Sequence, residues 1–351
     1  MNFEDRLEHR LALVGREYSK AEFPWVIGYS GGKDSSLTVK IVFEAISRLR
    51  KKRVPLHIIY CDTGVEIPVV TGFVKTTLRG IQRQAFESQI PISCHVARPE
   101  LADRFFVRVI GRGYPPPTNK FRWCTDRLRI APIQRLMNKL GDERNVVVLG
   151  VRENESEERK RTLSRNATQE AFYYRHSQSG KHRLFCPIVD FDVIDVWEGL
   201  HLLAHPSAID VGQLAALYKK ASGECPIVRD VAGSPCGQGR FGCWTCTVVR
   251  KDRAVQSLVQ EGYTALAPLL GFRDWLISMR DLPEHRCSVR RNGTPGLGPL
   301  RLKSRKVALK RLLAAEAASG IRLITPPEIR AIQSLWKLDA NSGSYSEDVE
   351  S

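Results

Sequence analysis

Near its N-terminus this 351-residue chain carries the stretch Val26-Ile27-Gly28-Tyr29-Ser30-Gly31-Gly32-Lys33-Asp34-Ser35-Ser36. Residues 25–28 are mostly apolar and predict the end of a buried strand. Residues 30–33 predict a tight turn. From Lys33 onward, apolar residues recur every four positions, which predicts a helix. The stretch therefore predicts a strand, a glycine-rich turn and the N-terminus of a helix in direct succession.

This arrangement is typical of an anion site, because free N–H groups and the positive end of the helix dipole meet in the turn. Gly31 and Gly32 allow the backbone to bend sharply and to approach a ligand closely. The neighbouring serine hydroxyls and the Lys33 cation add donors that suit a phosphate group. The pattern is not the Walker loop, because no G-x-x-x-x-G-K-[ST] run occurs. An ordinary Gly-Gly turn capped by serines would not require Lys, Asp and two Ser together.

The charge balance of the chain is strongly basic. Lys and Arg number 54 against 38 Asp and Glu, for a formal net charge of +16 and an isoelectric point near 9.6. This excess favours a polyanionic partner such as nucleic acid, although an incidental basic surface would give the same balance. The hydrophobic fraction of 42% is ordinary for a globular protein, and the length suits about two domains.

Nine cysteines are present, and their use depends on the compartment. The first residues, Met1 to Arg6, are charged and lack the apolar core of a signal peptide. No apolar run approaches the ~18 residues of a membrane-spanning helix, so we expect a cytoplasmic protein with no membrane partner. Thiols stay reduced there, which favours metal ligands, nucleophiles or core residues over disulfides.

Further strands and polar residues extend the predicted α/β fold. Residues 54–60 predict a second buried strand, followed by Asp62, Thr63, Gly64 and Glu66. In an open parallel sheet ligands bind at the carboxyl ends of strands, so Asp62 and Thr63 could contact the ribose or base of a nucleotide whose phosphate occupies the first turn, or a bound Mg²⁺. A helix N-cap is the structural alternative for Asp62.

The run Ser30-Gly31-Gly32-Lys33-Asp34-Ser35 resembles the pyrophosphate loop of the adenine nucleotide α-hydrolase superfamily, whose members split ATP between the α and β phosphates. The D-T-G-x-E run resembles sulfate-nucleotide reductase relatives. The resemblance implies a parallel-sheet, Rossmann-like ATP-binding domain, Mg²⁺, and catalytic roles for Lys33 and Asp34. The implied nucleotide-binding residues are Ser30, Gly31, Gly32, Lys33, Asp34, Ser35, Ser36, Asp62, Thr63, Gly150 and Arg152.

A third segment surrounds one cysteine with cations. The run Phe121-Arg122-Trp123-Cys124-Thr125 is preceded by Lys120 and followed by Arg127 and Arg129. Because positive neighbours lower a thiol pKa, we interpret Cys124 as the catalytic, sulfur-handling residue, with a buried structural cysteine as the alternative. The R-W-C-T run also resembles the phosphoadenosine-phosphosulfate-reductase-like family.

The same family resemblance returns after a fourth predicted strand, residues 145–150. The family pattern G-x-R-x-x-E-S-x-x-R is matched by Gly150, Arg152, Glu155, Ser156 and Arg159. Arg152 could hold a phosphate through two parallel hydrogen bonds. Surface salt bridges are the alternative explanation for the other charged residues of this run.

Four cysteines in a glycine-rich segment predict a metal centre. Cys225, Cys236, Cys243 and Cys246 follow the spacing C-x10-C-x6-C-x2-C. Four soft thiolate ligands suit tetrahedral zinc or a [4Fe–4S] cluster. Paired C-x2–4-C motifs at both ends would favour zinc, but only one tight pair exists, so the cluster is preferred and zinc is the second choice.

The run C-G-x-x-R-F-G-C-W-T-C-T-V-V, from Cys236 to Val249, is similar to the iron–sulfur module of DNA phosphorothioation proteins of the DndC/SspD type. With the motifs above, this similarity extends from about residue 26 to 336. It implies an ATP pyrophosphatase and sulfurtransferase that adenylates a DNA backbone phosphate and replaces a non-bridging oxygen with sulfur. It also implies a cysteine desulfurase as sulfur donor and other phosphorothioation-system proteins as partners. The sulfur could be carried as a persulfide on Cys124 or as sulfide at the cluster.

Other functions are compatible with the same sequence features. The same loop could serve tRNA thiolation or reduction of a sulfonucleotide, or the chain could be a non-enzymatic, zinc-stabilised nucleic-acid-binding protein. The predicted domains are an ATP-binding α/β domain at 1–210, an iron–sulfur and helical domain at 211–338, and a disordered tail at 339–351. Residues 301–313 predict a basic amphipathic helix whose leucines pack while its Lys and Arg face outward.

Overall fold

The computed structural model describes residues 2–140, 144–175, 182–222 and 241–341. The described residues divide into two compact units. The first unit comprises Met1–Cys61, Val69–Ala97 and Gln134–Arg240, and the second comprises Asp62–Pro68, Arg98–Ile133 and Phe241–Ser351. The predicted domain limits at residues 210 and 338 stay a prediction.

Six strands form one sheet in the first unit. They are β1 Trp25–Gly28, β2 Leu56–Cys61, β3 Ile92–Ala97, β4 Val146–Val148, β5 Tyr173–Arg175 and β6 Arg183–Phe185. The strand order is β3-β2-β1-β4-β6-β5, and every neighbouring pair is parallel except β5 with β6. The predicted α/β fold with a mostly parallel sheet is confirmed.

The helices alternate with these strands and continue beyond them. They are α1 Phe3–Ser19, α2 Lys33–Ser47, α3 Pro68–Glu87, α4 Trp123–Thr125, α5 Ala131–Leu140, α6 Glu157–Asn166, α7 Val193–Leu202, α8 Val211–Ser222, α9 Arg253–Gln260, α10 Ala267–Arg280, α11 Leu302–Ser319 and α12 Pro326–Asn341. None of the described helices combines the length and the apolar character that crossing a bilayer requires.

The central strand β1 explains the core of the first unit. Its residues Trp25, Val26 and Ile27 are buried, as expected for a parallel strand covered on both faces. The Trp25 ring packs edge-on against Tyr18 at 5.6 Å between centroids and also contacts Phe185 at 5.6 Å. Burial of β1 places its carboxyl end, where the predicted phosphate loop begins, on a rigid support.

The second unit contains a widened π-helical turn at Val107–Gly111, and side chains of two other helices donate to its last two carbonyls. Trp336 of α12 donates to the Ile110 carbonyl at 2.8 Å, and Arg305 of α11 donates to the Gly111 carbonyl at 2.6 Å. Arg305 is therefore buried, whereas Leu313 is exposed. The predicted outward cations and inward leucines of this helix are wrong at these two positions, because helix packing uses Arg305 as a donor.

Candidate functional site

The phosphate loop of the first unit lies between the end of β1 and the start of α2. Gly31 has φ +79°, and a Cβ there would lie 2.1 Å from Val74 Cγ2, so no side chain fits. Gly32 is the N-cap of α2 and has no side chain of its own to cap the helix. The N-terminus of α2 consequently offers backbone donors and a positive dipole end at the predicted position.

The serines of the loop bond mainly to the loop itself. Ser30 Oγ and Ser35 Oγ lie 3.1 Å apart, and the Gly32 N–H donates to Ser30 Oγ at 3.3 Å. Ser35 Oγ also donates to the Gly32 carbonyl at 3.0 Å, while Ser36 is completely buried. These contacts keep the loop folded before any ligand binds.

Lys33 is buried beside the loop, and an aromatic residue holds it. Its Nζ lies 4.6 Å from the Tyr218 ring centroid and 4.0 Å from Asp34 Oδ2. The Lys33 N–H donates to the Tyr218 hydroxyl at 3.2 Å. Tyr218, on α8, is a site residue that the sequence patterns do not reveal, since it carries no motif and is 185 positions from Lys33.

Asp34 and Arg152 form a close ion pair at the first turn of α2. Arg152 Nε donates to Asp34 Oδ1 at 2.5 Å, and the Arg152 side chain is almost fully buried. Its Nη1 is buried and has no hydrogen-bond partner among the described residues. A buried guanidinium N–H without an acceptor is costly, and a phosphate oxygen would satisfy it.

Gly150 contributes space at this site. It follows β4, and a Cβ there would lie 2.7 Å from both the Asp34 carbonyl oxygen and Thr38 Oγ1. The glycine therefore allows the start of α2 to pack directly against the chain after β4. The structure thus brings eight of the predicted nucleotide-binding residues together with Arg152 in the first unit: Ser30, Gly31, Gly32, Lys33, Asp34, Ser35, Ser36 and Gly150.

Asp62 and Thr63 belong to the second unit, although they directly follow β2 in the chain. Asp62 Oδ1 accepts from the Gly64 N–H at 3.1 Å, and its Oδ2 accepts from Arg98 Nε at 3.3 Å. Thr63 Oγ1 lies 3.7 Å from Cys243 Sγ. Their predicted contact with ATP or Mg²⁺ stays a prediction.

Cys243 lies in a tightly organised segment of the second unit. It forms an antiparallel bridge with Glu66, and its Sγ lies 3.9 Å from Arg129 Nη2. The Cys246 N–H donates to the Cys243 carbonyl at 2.9 Å. Burial raises the pKa of the Cys243 thiol, and Arg129 opposes this increase only in part.

The structure describes two of the four cysteines of the predicted metal centre. Cys225 and Cys236 lie outside the described residues, whereas Cys243 and Cys246 lie within them. Within the described ranges, no group of three or more His, Cys, Asp or Glu side chains is arranged to hold a metal ion. The ligand set for a [4Fe–4S] cluster or zinc therefore stays a prediction.

The pKa of the Cys124 thiol is shifted in the direction opposite to the one expected from the sequence. Burial raises the pKa of its thiol, the nearby Cys246 adds to the increase, and Thr125 and Arg122 oppose it only partly. The expected lowering of this pKa by cationic neighbours is outweighed, because the side chains of Lys120, Arg122, Arg127 and Arg129 are exposed to solvent whereas Cys124 is half-buried. The sulfur-handling role of Cys124 stays a prediction.

The sheet order and the loop after β1 define an α/β protein with a mostly parallel sheet and a glycine-rich loop between its central strand and the helix that follows. A family model described as the phosphoadenosine phosphosulfate reductase domain matches residues 24–249, which is more than half of the chain. The chain belongs to the phosphoadenosine phosphosulfate reductase domain family. The match includes the loop, Cys124, Arg152 and all four cysteines of the predicted metal centre.

Individual relatives are distant. An uncharacterised protein of Methanocaldococcus jannaschii is 23% identical over 236 residues, covering 67% of this chain and 38% of that protein. A phosphoadenylyl-sulfate reductase from Candida auris in a phosphate complex is 15% identical, covers 59% of this chain and 91% of its own, and has a TM-score of 0.36. A U34-tRNA thiolase from Methanococcus maripaludis with its [4Fe–4S] cluster is 12% identical, covers 88% of both chains and has a TM-score of 0.35.

Proposed function

We propose that this chain is an ATP-dependent sulfurtransferase that adenylates a backbone phosphate of DNA and replaces one non-bridging oxygen with sulfur. The observation that carries the proposal is the loop after β1. There the N-terminus of α2, the buried Lys33 and the Nη1 of Arg152, which has no hydrogen-bond partner among the described residues, offer donors to a polyphosphate. The cysteine run from Cys236 to Val249 and the net charge of +16 support DNA as the acceptor.

The first step activates the phosphate. A non-bridging oxygen of a DNA phosphodiester attacks the α-phosphorus of ATP, the bond between that phosphorus and the α–β bridging oxygen breaks, and pyrophosphate leaves. Lys33, Arg152 and the backbone N–H groups at the start of α2 stabilise the negative charge that develops on the leaving group. The DNA phosphorus is then joined to AMP, so a poor oxide leaving group has become a good one.

The second step transfers sulfur. The terminal sulfur of a persulfide on Cys124 attacks the DNA phosphorus, and AMP leaves with the former non-bridging oxygen. An external thiol then attacks the Cys124 sulfur of the resulting P–S–S–Cys linkage. The electron pair of the broken S–S bond passes to the phosphorothioate, and Cys124 becomes a mixed disulfide that a second thiol reduces. A cysteine desulfurase supplies the persulfide sulfur, and other phosphorothioation-system proteins complete the pathway.

Mg²⁺ accompanies ATP in this proposal. Cys243 and Cys246, with Cys225 and Cys236, would hold a [4Fe–4S] cluster, with zinc as the less favoured occupant. Such a cluster can retain sulfide or stabilise the fold. Anaerobically purified protein should be brown and contain iron, and Cys243→Ala should lose it. Full iron content in that variant would remove Cys243 from the ligand set.

Phosphorothioate dinucleotides measured by mass spectrometry test the function. Nuclease-digested DNA from cells that contain the protein and its partner proteins should yield these dinucleotides, and DNA from cells without the protein should not. Lys33→Ala should abolish the signal, because the loop loses its buried cation, while Lys51→Ala, which removes an exposed lysine, should retain it. Equal signal with and without the protein would refute the proposal.

A sulfonucleotide reductase is the second candidate, and the family match over residues 24–249 favours it. In that reaction a thiol attacks the sulfur of an adenylyl sulfate, AMP or its 3′-phosphate leaves, and an external thiol releases sulfite as a disulfide forms. Purified protein that releases sulfite from such a nucleotide, and no pyrophosphate from ATP with DNA, would select the reductase. Pyrophosphate release that disappears in Lys33→Ala would exclude a purely binding role.

A further inference from the structure

A cavity of about 420 Å³ lies within the second unit, between the segment 113–121 and the segment 280–299. Its volume falls in the range of about 300–1,000 Å³ that small-molecule sites occupy. Its lining combines aromatic rings with four arginines; the residues that matter here are Tyr114, Phe121, Arg280, Arg286, Arg290 and Arg291. None of these residues belongs to the predicted nucleotide or metal site.

The wall of this cavity is already built. Arg286 is buried and donates to three backbone carbonyls, those of Gly298 at 2.6 Å, Arg280 at 2.8 Å and Leu297 at 3.0 Å. A Cβ at Gly298 would overlap the Val289 carbonyl oxygen, so the two parts of the segment 280–299 that contain these residues pack directly against each other there. The cavity therefore exists without a ligand, which lowers the ordering cost of binding.

An aromatic platform forms one side. The Tyr114 hydroxyl accepts from Arg108 Nη1 at 3.0 Å, and Trp123 packs edge-on against the Tyr114 ring. Phe121 stacks on Tyr114 with an interplanar angle of 16°, yet 46% of Phe121 is exposed. An exposed, supported ring of this kind is the usual platform on which an unpaired nucleobase stacks.

The charge of the cavity selects an anionic ligand. Arg280 pairs with Asp281 at 2.9 Å and donates to the carbonyls of Thr247 and Pro117, so it serves the wall. Arg290 and Arg291 are exposed, and the Arg291 guanidinium lies 5.0 Å from the Tyr114 ring centroid. Among the described residues that line this cavity, Asp281 is the only acidic one. Arginine beside an aromatic ring suits phosphate next to a base.

A second cavity of about 580 Å³ continues the basic surface. It shares Thr118 and Arg280 with the first and adds Lys120 and Arg250 to the lining. Cations thus extend past a single-nucleotide pocket, as a polymer of phosphates requires. From these observations we infer that the second unit holds an unstacked nucleotide of a nucleic-acid strand, its base on Phe121 and its flanking phosphates on Arg290 and Arg291. The inference rests on the proposed function, for which it names how the strand is held.

Binding of a labelled oligo-dT of about 12 nucleotides, followed by fluorescence anisotropy, tests this inference. Phe121→Ala should weaken binding about tenfold and leave the salt dependence unchanged, because stacking involves no counterion release. Phe121→Leu, which keeps apolar bulk, should also weaken it, so a folding defect cannot explain the loss. Phe86→Ala, which removes an 83% exposed ring from α3, should bind as the unaltered protein does.

Arg290→Ala provides an independent measurement. The slope of log affinity against log salt should become shallower by about 0.7, the value for one phosphate contact on a single strand. Arg83→Ala, which removes an exposed arginine of α3, should leave the slope unchanged. The same measurement with oligo-U shows whether the site prefers ribose or deoxyribose. The inference requires that Phe121→Ala weaken the binding of whichever strand binds more tightly.

Three results would overturn the inference: Phe121→Ala binding as tightly as Phe86→Ala, a duplex of the same length binding more tightly than the single strand, or thymidine monophosphate competing as well as the oligonucleotide. The assay contains no ATP, so a protein that makes no phosphorothioate can still pass it. Conversely, phosphorothioate formation with unaltered binding in Phe121→Ala would defeat this inference alone.

Discussion

The phosphate loop of the first unit and the cysteine segments of the second unit distribute charge in opposite ways. In the loop the cations are buried, since Lys33 and Arg152 are each less than 5% exposed. Around Cys124 the cations are exposed and the cysteine is half-buried. A buried cation acts strongly on a neighbouring anion, whereas an exposed one is screened by water and salt.

The difference teaches what each region can do unaided. The loop is prepared for an anion, because its helix N-terminus and guanidinium are in place and its serines are already bonded to one another. Partial burial raises the pKa of the Cys124 and Cys243 thiols. In the proposed function, a sulfur donor or a metal ion therefore has to displace the thiol proton before these cysteines act as nucleophile or ligand.

The largest expected effect separates the two regions directly. Cys124→Ser should abolish phosphorothioate formation while ATP cleavage stays within about twofold, because oxygen cannot carry a persulfide and the loop is unaltered. Parallel assays of pyrophosphate release and of phosphorothioate dinucleotides measure the two steps. Cys287→Ser, at a buried cysteine without a motif, is the control. Retained phosphorothioate yield in Cys124→Ser would remove the cysteine from the mechanism.

The next prediction tests whether burial of Arg152 increases its contribution to the rate of pyrophosphate release. Arg152→Gln should reduce the rate of pyrophosphate release about 100-fold, since it removes the charge and leaves Asp34 without its closest partner. Arg159→Gln, which breaks a more exposed pair with Glu155 at 3.0 Å, should change the rate by less than about threefold. Similar losses in the two variants would contradict the proposed contrast between buried and exposed cations.

A smaller effect concerns the rigidity of the loop. Gly31→Ala should lower the free energy of unfolding by about 1–3 kcal/mol, because the φ of +79° disfavours alanine and the new Cβ meets Val74. Gly72→Ala, in the interior of α3 with open space around it, should instead raise that free energy by about 0.5–1 kcal/mol. Urea denaturation measures both, and a gain in stability for Gly31→Ala would disprove the described loop conformation.

The smallest effect concerns the hydroxyl that faces the loop. Tyr218→Phe should lower the free energy of unfolding by about 1 kcal/mol, because the Lys33 N–H loses its acceptor while the ring beside Lys33 remains. Saturating ATP should shrink this difference, since a phosphate oxygen can accept the freed N–H. Thermal denaturation with and without ATP checks the pair, and a difference unaffected by ATP would place the phosphates elsewhere.

Local sequence determined much of this protein. The loop is predicted by three local features: the apolar residues of β1, the Gly31–Gly32 turn, and the apolar residues that recur every four positions in α2. Local features suffice because backbone conformation there depends on neighbours within a few positions. The parallel sheet follows from strands that alternate with helices. The family follows from short runs that include Cys124 and Arg152.

Only the tertiary structure decided which polar groups are buried and which residues they contact. Several contacts join segments that are far apart in the chain. They are the contact of Tyr218 with Lys33, the ion pair of Arg152 with Asp34, the hydrogen bond from the buried Arg305 to Gly111, and the arginine-lined pocket at Phe121. The raised pKa of the Cys124 thiol also depends on the tertiary structure, because desolvation is not encoded by a local pattern. Short-range sequence specifies backbone shape, whereas the energy of a charge depends on everything that excludes water from it.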